Sequence, residues 1–419
     1  MKPEFKSLKY ACYSANMSMS VVGNLSPLLF ITFRTLYGIS YSLLGLLVLV
    51  NFVTQLTVDL IFSFFSHKFN IPKTVKLAPL LTIAGLLVYA VCPIVFPQGV
   101  YLGLVVGTII FSASSGLNEV LLSPVIAAIP AEDPDHEMSK LHSVYAWGVV
   151  LVIIVSTLFL LVFGSENWQW LAILFTLIPL ASFYLYSRSE IPRMETPKRV
   201  SGALQLLKNK GIWLCVAAIF FGGASECTMA QWSSGYLEQA LGIPKVWGDI
   251  FGAALFAAML GLGRSLYAKF GKNIDTVLFF SSIGAVLCYL TAALSGLPIA
   301  GLIACALTGL FTAMLWPGSL IIASDRFPQG GVFIFAMMAA GGDLGASVGP
   351  QLIGLITDAV IAHPGAVPLA QSLGLGADQL GMKLGMLTGM IFPLCAVPLY
   401  FYIRKNRKEK NNQDISCTS

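Results

Sequence analysis

One acid stands inside an otherwise uncharged part of this chain, in the segment Ser114-Ser-Gly-Leu-Asn-Glu-Val-Leu-Leu-Ser-Pro124. The run from Leu77 to Asn118, which leads into it, contains no Asp, Glu, Lys or Arg. Such a run is too apolar for a helix that faces water, and a charge near the centre of a bilayer costs on the order of 3 kcal/mol or more. We therefore expect Glu119 to face a polar cavity, a partner or a proton.

The composition of the whole chain indicates a membrane protein. Of its 419 residues, 56% are hydrophobic and 11% are charged, whereas soluble domains carry about 25% charged residues. Uncharged runs long enough to cross a bilayer, which takes about 20 apolar residues per helix, recur along the chain. We predict twelve transmembrane helices, at residues 8–33, 41–65, 75–95, 100–127, 143–164, 168–187, 211–237, 247–268, 275–295, 297–324, 331–360 and 382–403.

Other classes of protein do not fit the sequence. A β-barrel would show alternating segments of roughly ten residues. The eight cysteines are scattered and form no C-x-x-C, so neither a disulfide framework nor a zinc site is expected. No G-x-x-x-x-G-K-[ST] occurs, and no spacing suggests a nucleophile with its base or a set of metal ligands. We expect no enzyme activity and no cofactor.

The positions of Lys and Arg orient the chain. An even number of spans puts both termini on one side, and 21 of the 25 basic residues fall on that side. By the positive-inside rule it is the cytoplasm, so the net charge of +5 reflects membrane anchoring and not nucleic-acid binding. The predicted organisation is an N-terminal six-helix bundle (1–187), a cytoplasmic central loop (188–210), a C-terminal six-helix bundle (211–404) and a basic cytoplasmic tail (405–419).

The two halves of the chain resemble each other. Gly116-Leu-x5-Ser-Pro124 in span 4 matches Gly309-Leu-x5-Trp-Pro317 in span 10, with the same interval from glycine to proline. Lys68-Phe-Asn70 after span 2 matches Lys269-Phe-Gly271 after span 8. Both matches fall at equivalent places, as a duplicated six-helix unit requires.

With these features the chain resembles the major facilitator superfamily over nearly its whole length. The loop 2–3 signature of that family, roughly G-x-L-x-D-R-x-G-R, is present in eroded form. His67 stands where the acid belongs, and the second copy, Gly263–Lys272, also lacks the acid. The resemblance implies a transporter fold, without the usual charge latch at this loop.

Within the superfamily, three segments resemble the fucose-permease-like branch of sugar–proton symporters. They are Gly116-x-x-Glu119-x4-Pro124, then Leu141-His-Ser-x-Tyr-x-Trp-Gly148, and Gly222-x3-Glu226-x5-Trp232-x3-Tyr236 in span 7. The resemblance implies that the acid of span 4 takes part in proton coupling.

Four acids lie in or near apolar spans: Asp59, Glu119, Glu226 and Asp343. Burial disfavours an ionised carboxylate, so each could load a proton from one side and release it to the other. The alternative is a neutral, hydrogen-bonded structural acid. We predict proton coupling for Glu119, Glu226 and Asp343. For Asp343 there is a second interpretation of equal weight, namely that it is a structural partner of Arg264.

Asp59 lies near the cytoplasmic end of span 2, where an ion pair with a loop lysine and a gating role are expected. His142, which opens span 5, and Arg264 are the other gating candidates, and a solvated interfacial histidine is the alternative for His142. Small residues spaced by four let a neighbouring helix approach closely, which predicts a packing or hinge role for Gly341, Gly345 and Gly349.

Glu226, Gln231 and Trp232 stand within two turns of span 7. Such a set suits a polyol, because the hydroxyls bond to the polar groups while the C–H face packs on the indole ring. A tryptophan at the lipid interface is the alternative for Trp232. Further candidates for solute contact, which interhelical hydrogen bonding or packing would explain equally well, are Asn118, Trp147, Trp316, Asn24 and Gln55.

We therefore predict an all-α membrane protein with twelve transmembrane helices in two six-helix bundles around a polar cavity. It would act by alternating access as a proton-coupled symporter of a small polar solute, such as a sugar or sugar derivative. The alternatives are a proton antiporter that exports drugs or metabolites and a membrane receptor or scaffold without transport. We expect a monomer in the cell membrane, the inner membrane in bacteria, with the solute, protons and lipid as partners.

Overall fold

The structure is a computed structural model that describes residues 3–65, 68–130, 134–192, 208–327 and 331–418. In the first half the helices are α1 (Pro3–Leu28), α2 (Phe30–Tyr37), α3 (Tyr41–Phe65), α4 (Ile71–Val95), α5 (Val100–Ala127), α6 (Pro134–Phe163), α7 (Trp168–Phe175) and α8 (Leu177–Ser187). In the second half they are α9 (Lys210–Leu241), α10 (Lys245–Trp247), α11 (Leu255–Phe270), α12 (Ile274–Leu294), α13 (Pro298–Thr312), α14 (Leu315–Arg326), α15 (Gly331–Ala362), α16 (Ala366–Ser372), α17 (Ala377–Gly389) and α18 (Ile391–Thr418).

The described helices account for the predicted spans. Eleven helical stretches are long and apolar enough to cross a membrane, and the bent pair Phe5–Leu28 and Phe30–Tyr37, with 47° between its parts, raises the number to twelve. Pro27 lies inside α1 just before this bend, where a proline removes one helical hydrogen bond and opens a kink. The prediction of an all-α membrane fold is confirmed.

The chain divides into two compact units. The first contains α1 to α8 together with Pro244–Ile250. In its core, Trp168 is fully buried and its ring centroid lies 4.9 Å from that of Phe33. Gly107 lets α5 approach α4, because a Cβ at this position would lie 2.7 Å from the backbone nitrogen of Tyr89.

The second unit contains α9 and α11 to α18, with α9 packed along α15. Glycines make this contact possible. A Cβ at Gly345 would meet the carbonyl oxygen of Phe220, and one at Gly349 would lie 3.0 Å from the carbonyl oxygen of Ala224. The contact is consistent with the packing role predicted for the glycine stripe.

The two units repeat one helix contact. A Cβ at Gly116 would lie 2.9 Å from the carbonyl oxygen of Gln55, and a Cβ at Gly309 would collide with the carbonyl oxygen of Phe256. Gln55 and Phe256 stand equally far along the chain from Lys68 and Lys269. The repeated contact therefore agrees with the alignment of the two halves read from the sequence.

The termini of several helices differ from the predicted spans. The fifth span belongs to a helix that begins at Pro134, so Glu137 lies in helix, and the predicted outer loop 361–383 contains α16. The last helix continues through the predicted tail. Most of the predicted central loop, 188–210, lies outside the described residues.

Candidate functional site

Polar side chains connect α3 to α5 inside the first unit. Ser112 Oγ donates to Asn51 Oδ1 at 2.5 Å, and Gln55 Nε2 donates to the same oxygen at 3.1 Å. Ser115 Oγ donates to Gln55 Oε1 at 3.2 Å. Successive residues on α3 are four apart, which is about one helical turn. We call this series the polar ladder; its members on α3 are Asn51, Gln55 and Asp59, and its members on α5 are Ser112, Ser115 and Glu119.

Asp59 is the third member of the ladder on α3. Only 9% of its surface is exposed, and its Oδ1 atom has no hydrogen-bond partner among the described residues. Its carboxyl group packs against α5 at Gly116, where a Cβ atom would lie 2.9 Å from Asp59 Oδ1. The carboxylate of Glu119 acts on Asp59 electrostatically.

The observed neighbours of Asp59 differ from the loop lysine predicted as its partner. In the described part of the chain no lysine or arginine forms an ion pair with Asp59. The residue lies on the face of α3 that packs against α5 at Gly116. The predicted loop ion pair is therefore wrong for the described residues.

Glu119, on α5, is exposed. The apolar exposed stripe of the same helix contains Leu102, Val106 and Ile109. At about 100° per residue, Glu119 lies roughly 100° around the helix from this stripe. Its side chain is therefore not buried in the first unit, and it does not lie on the exposed apolar stripe of α5.

The amide side chains predicted to bind a solute mostly serve helix contacts. Both ends of the Gln55 amide are used within the ladder. Asn24 Nδ2 donates to the carbonyl oxygen of Ser20 on its own helix at 2.9 Å, and Asn118 is 3% exposed. Of the two interpretations, helix packing fits these amides better than solute contact.

A second polar group of residues lies in the second unit. Arg264 Nη2 on α11 lies 3.3 Å from Glu226 Oε1 and 3.4 Å from Oε2 on α9. Arg264 Nε also donates to the carbonyl oxygen of Ala313 at 3.1 Å. Ala313 stands between α13 and α14, where Pro317 prevents a continuous hydrogen-bond pattern. One guanidinium thus bonds to both α9 and the break in the tenth span.

Asp343 belongs to the same surroundings. Cys227 of α9 is under the electrostatic influence of Glu226, Asp343 and Arg264 together. Asp343 is 5% exposed. We call Glu226, Arg264 and Asp343 the charged cluster. Arg264 forms an ion pair with Glu226, and both interpretations of Asp343, a proton site and a structural partner of Arg264, stay predictions.

Trp316 lies beside the charged cluster and is partly exposed. Its indole packs on two glycines. A Cβ at Gly223 would lie 2.9 Å from Trp316 Cζ3, and a Cβ at Gly342 would lie 2.5 Å from Cη2. The ring is therefore fixed against α9 and α15, next to Asp343, with part of its surface accessible.

Trp232 has a structural position instead. It is fully buried, and its Nε1 atom donates to the carbonyl oxygen of Pro350 at 2.9 Å. Gln231, its neighbour, is 8% exposed. The prediction that Trp232 contacts a solute conflicts with this burial, which arises because α9 is covered on most sides between Gly222 and Leu237.

Trp147 lies on an exposed apolar face of α6. It is 73% exposed and continues the exposed apolar stripe that Leu151, Ile154 and Leu158 form on α6. A tryptophan near the end of such a stripe is typical of the membrane interface. The side chain of His142, the other candidate on this helix, lies outside the described residues.

Two polar groups of the first unit were missed at the sequence level. Asp249, 1% exposed, accepts a hydrogen bond from Thr157 at 2.9 Å and pairs with Lys245 at 3.3 Å. The spacing of Lys245 and Asp249 by four residues was the available signal. The sequence does not reveal that α6 brings Thr157 to Asp249.

The second missed group joins α1 to α6. Lys9 Nζ lies 2.8 Å from Glu137 Oε1, and the Tyr13 hydroxyl donates to Glu137 Oε2 at 3.1 Å. The Lys9 ammonium, with help from Tyr13 and against partial burial, lowers the pKa of the Glu137 carboxyl. Glu137 is therefore an ionised anchor at this end of the helices.

Comparison with known proteins gives one family. A model of the Major Facilitator Superfamily matches residues 11–350. No curated protein sequence matches the chain. Groups of three or more His, Cys, Asp or Glu that could hold a metal ion are absent from the described residues.

Several solved transporter structures share this fold. A bacterial homolog of the human lysosomal transporter Spinster has a TM-score of 0.72 at 13% identity, covering 97% of this chain and 98% of its own. The D-xylose-proton symporter has a TM-score of 0.70 at 16% identity, covering 95% and 99%. The nucleoside transporter NupG has a TM-score of 0.69 at 11% identity, covering 95% and 99%.

Proposed function

This chain belongs to the Major Facilitator Superfamily, whose members are transporters and not enzymes, and on that premise we propose that it couples the passage of a small polar solute to protons. The solute is a sugar or a sugar derivative, and the direction is symport by alternating access of two six-helix bundles. The resemblance to fucose-permease-like symporters in the segment around Glu119 supports this choice.

The single observation that carries the proposal is the position of Glu119. An ionisable group inside a membrane span is costly unless it serves a pathway or finds a partner. Glu119 is exposed, lies off the apolar stripe of α5 and ends the polar ladder. A carboxyl group in this position can exchange protons with water while its helix remains in the membrane.

The charged cluster and Trp316 are the groups we assign to the solute. Glu226 and Arg264 offer acceptors and donors to hydroxyl groups, and the partly exposed indole of Trp316 offers a flat apolar surface. Sugars bind to such pairs of polar and aromatic surfaces. Trp316 takes the role that the sequence suggested for Trp232.

Orientation and surroundings complete the proposal. We assign both termini, the central loop and the basic tail to the cytoplasm because the basic residues concentrate there. The protein would be a monomer in the cell membrane, the inner membrane in a bacterium. Solute, protons and lipid are its partners.

A transport assay tests the proposal in two stages. Thermal unfolding of the purified protein is first recorded with D-xylose, a nucleoside, a dipeptide and an organic acid, each at several pH values. The compound that raises the unfolding temperature is then used as labelled solute in proteoliposomes with an imposed pH gradient. We expect accumulation in the wild type, and Glu119→Gln to abolish accumulation while exchange of labelled for unlabelled solute continues.

The exposed acid Glu166 supplies the control, because Glu166→Gln is expected to keep both accumulation and exchange. Unchanged accumulation in Glu119→Gln would remove this residue from coupling. Proton movement opposite to that of the solute would indicate the antiporter. Binding without any solute-dependent pH change would indicate the receptor or scaffold.

A further inference from the structure

We propose that Asp59 and Glu119 form one proton-binding site in which two carboxyl groups share a single proton. The inference rests on the proposed function for its role in transport, and it adds Asp59 to the residue already assigned to coupling. It also replaces the gating role that the sequence suggested for Asp59.

The register of α3 and α5 brings the two acids to the same level. Asn51 bonds to Ser112, and Gln55, one turn further along, bonds to Ser115. The next turn on α3 carries Asp59. On α5, Glu119 stands four residues after Ser115, so the third pair of the ladder consists of two acids.

Close helix contact enforces this pairing. Gly116 has no side chain to separate α5 from α3, and a Cβ there would lie 2.9 Å from Asp59 Oδ1. The first two pairs of the ladder are closed by hydrogen bonds, whereas Asp59 Oδ1 is without a partner among the described residues and Asp59 is 9% exposed. A buried acceptor of this kind is costly unless a proton or a donor reaches it.

Within the described part of the chain, no other ionised group compensates Asp59. Among the described residues Glu119 is the titratable group that acts on it. Helix α1 also packs on α3, and its Lys9 and Tyr13 are both bonded to Glu137. Two negative charges side by side without a cation repel each other strongly in a medium of low dielectric constant.

A shared proton relieves this repulsion. A proton from water binds one carboxylate oxygen and forms an O–H bond, and the pair then carries one negative charge instead of two. Its release restores the second charge. Because Glu119 is exposed and Asp59 is buried, we assign the exchange of the proton with water to Glu119, and Asp59 is the second carboxyl group of the shared site.

Infrared spectroscopy tests the proposal without any solute. The C=O stretch of protonated carboxyl groups is followed against pH for the purified full-length protein in lipid nanodiscs, as wild type, Asp59→Asn, Glu119→Gln and Glu166→Gln. The wild type and the control variant Glu166→Gln should share one titration step of the protonated carboxyl signal. Either single variant of the pair should lose this step, with the remaining acid binding its proton at least about tenfold more weakly.

Three results would overturn the proposal. Glu119 could titrate in Asp59→Asn as it does in the wild type, which would show independent acids. Asp59 could titrate in Glu119→Gln as it does in the wild type; this second variant changes an exposed side chain and serves if Asp59→Asn does not fold. Replacement of choline chloride by sodium chloride at constant pH could remove the protonated signal, which would show a cation site instead.

The infrared titration and the transport assay test the two proposals separately. If the shared proton is observed while Glu119→Gln still accumulates solute, the proposed coupling fails and the carboxyl pair stands. If accumulation depends on Glu119 while the two acids titrate independently, the carboxyl pair fails and the proposed coupling stands.

Discussion

Arg264 and Glu226 form a two-oxygen contact, with Arg264 Nη2 3.3 Å from one carboxylate oxygen and 3.4 Å from the other. The same guanidinium bonds through Nε to the carbonyl oxygen of Ala313. A single side chain of α11 therefore connects α9 with the break between α13 and α14. Few other residues could do this, because a guanidinium presents several donors in a fixed plane.

The first prediction concerns this pair. Arg264→Gln and Glu226→Gln should each lower the free energy of unfolding, and the double variant should lose less than the sum of the two single losses. The expected coupling energy is about 1 kcal/mol, since Arg264 is half exposed. Arg264→Lys should behave like Arg264→Gln, because an ammonium cannot reach both acceptors at once. Denaturant unfolding in detergent measures all four; additive losses would show that the contact contributes no stability.

The second prediction concerns the contact between α3 and α5. Gly116→Ala places a methyl group 2.9 Å from the carbonyl oxygen of Gln55 and 3.1 Å from Val58 Cβ, and such overpacking costs about 1–3 kcal/mol. Gly261→Ala is the matched control, because a Cβ there meets nothing within 4 Å. Alanine at a free helical position should instead gain about 0.5–1 kcal/mol. Equal effects of both changes on the free energy of unfolding would contradict the role of Gly116.

The third prediction separates the tryptophans. Trp232→Phe removes the N–H group that bonds to Pro350, and the unpaired buried carbonyl should cost about 1–3 kcal/mol. Trp147→Phe, at an exposed position, should leave the unfolding temperature nearly unchanged. Trp316→Phe should weaken solute binding more than it affects stability. Loss of solute binding in Trp232→Phe at unchanged stability would restore that residue as a solute contact.

The fourth prediction concerns pH. The Lys9 ammonium lowers the pKa of Glu137 in the folded protein, so the contribution of this carboxylate to stability is complete above its unfolded pKa of about 4.3. It is lost as the pH falls through the lower folded value. The difference in unfolding temperature between wild type and Glu137→Gln should therefore shrink at acid pH. Lys140, 50% exposed and 4.0 Å away, supplies a control, since Lys140→Gln should change little at any pH; a difference independent of pH would contradict the ionised anchor.

Several features could be predicted from the sequence because they depend on local composition. Uncharged runs determine which segments can cross a membrane, so the helical fold and its number of spans followed from hydropathy alone. The glycine spacing at 341, 345 and 349 predicted a close helix contact, since removing side chains has the same effect whichever helix packs there. The matching glycines 116 and 309 likewise indicated a repeated unit.

The partners of the polar residues could not be predicted, because periodicity gives the face of a helix but not the helix that covers it. Trp232 and Trp316 look alike in sequence, and packing alone buried the first and left part of the second accessible. Asp59 was expected to meet a loop lysine, yet α5 lies against it. Hydropathy thus determined which segments enter the membrane, whereas the side-by-side packing of those segments decided that Asp59 lies against α5 and that Arg264 bonds to Glu226, because residues far apart in the sequence meet only where their helices pack together.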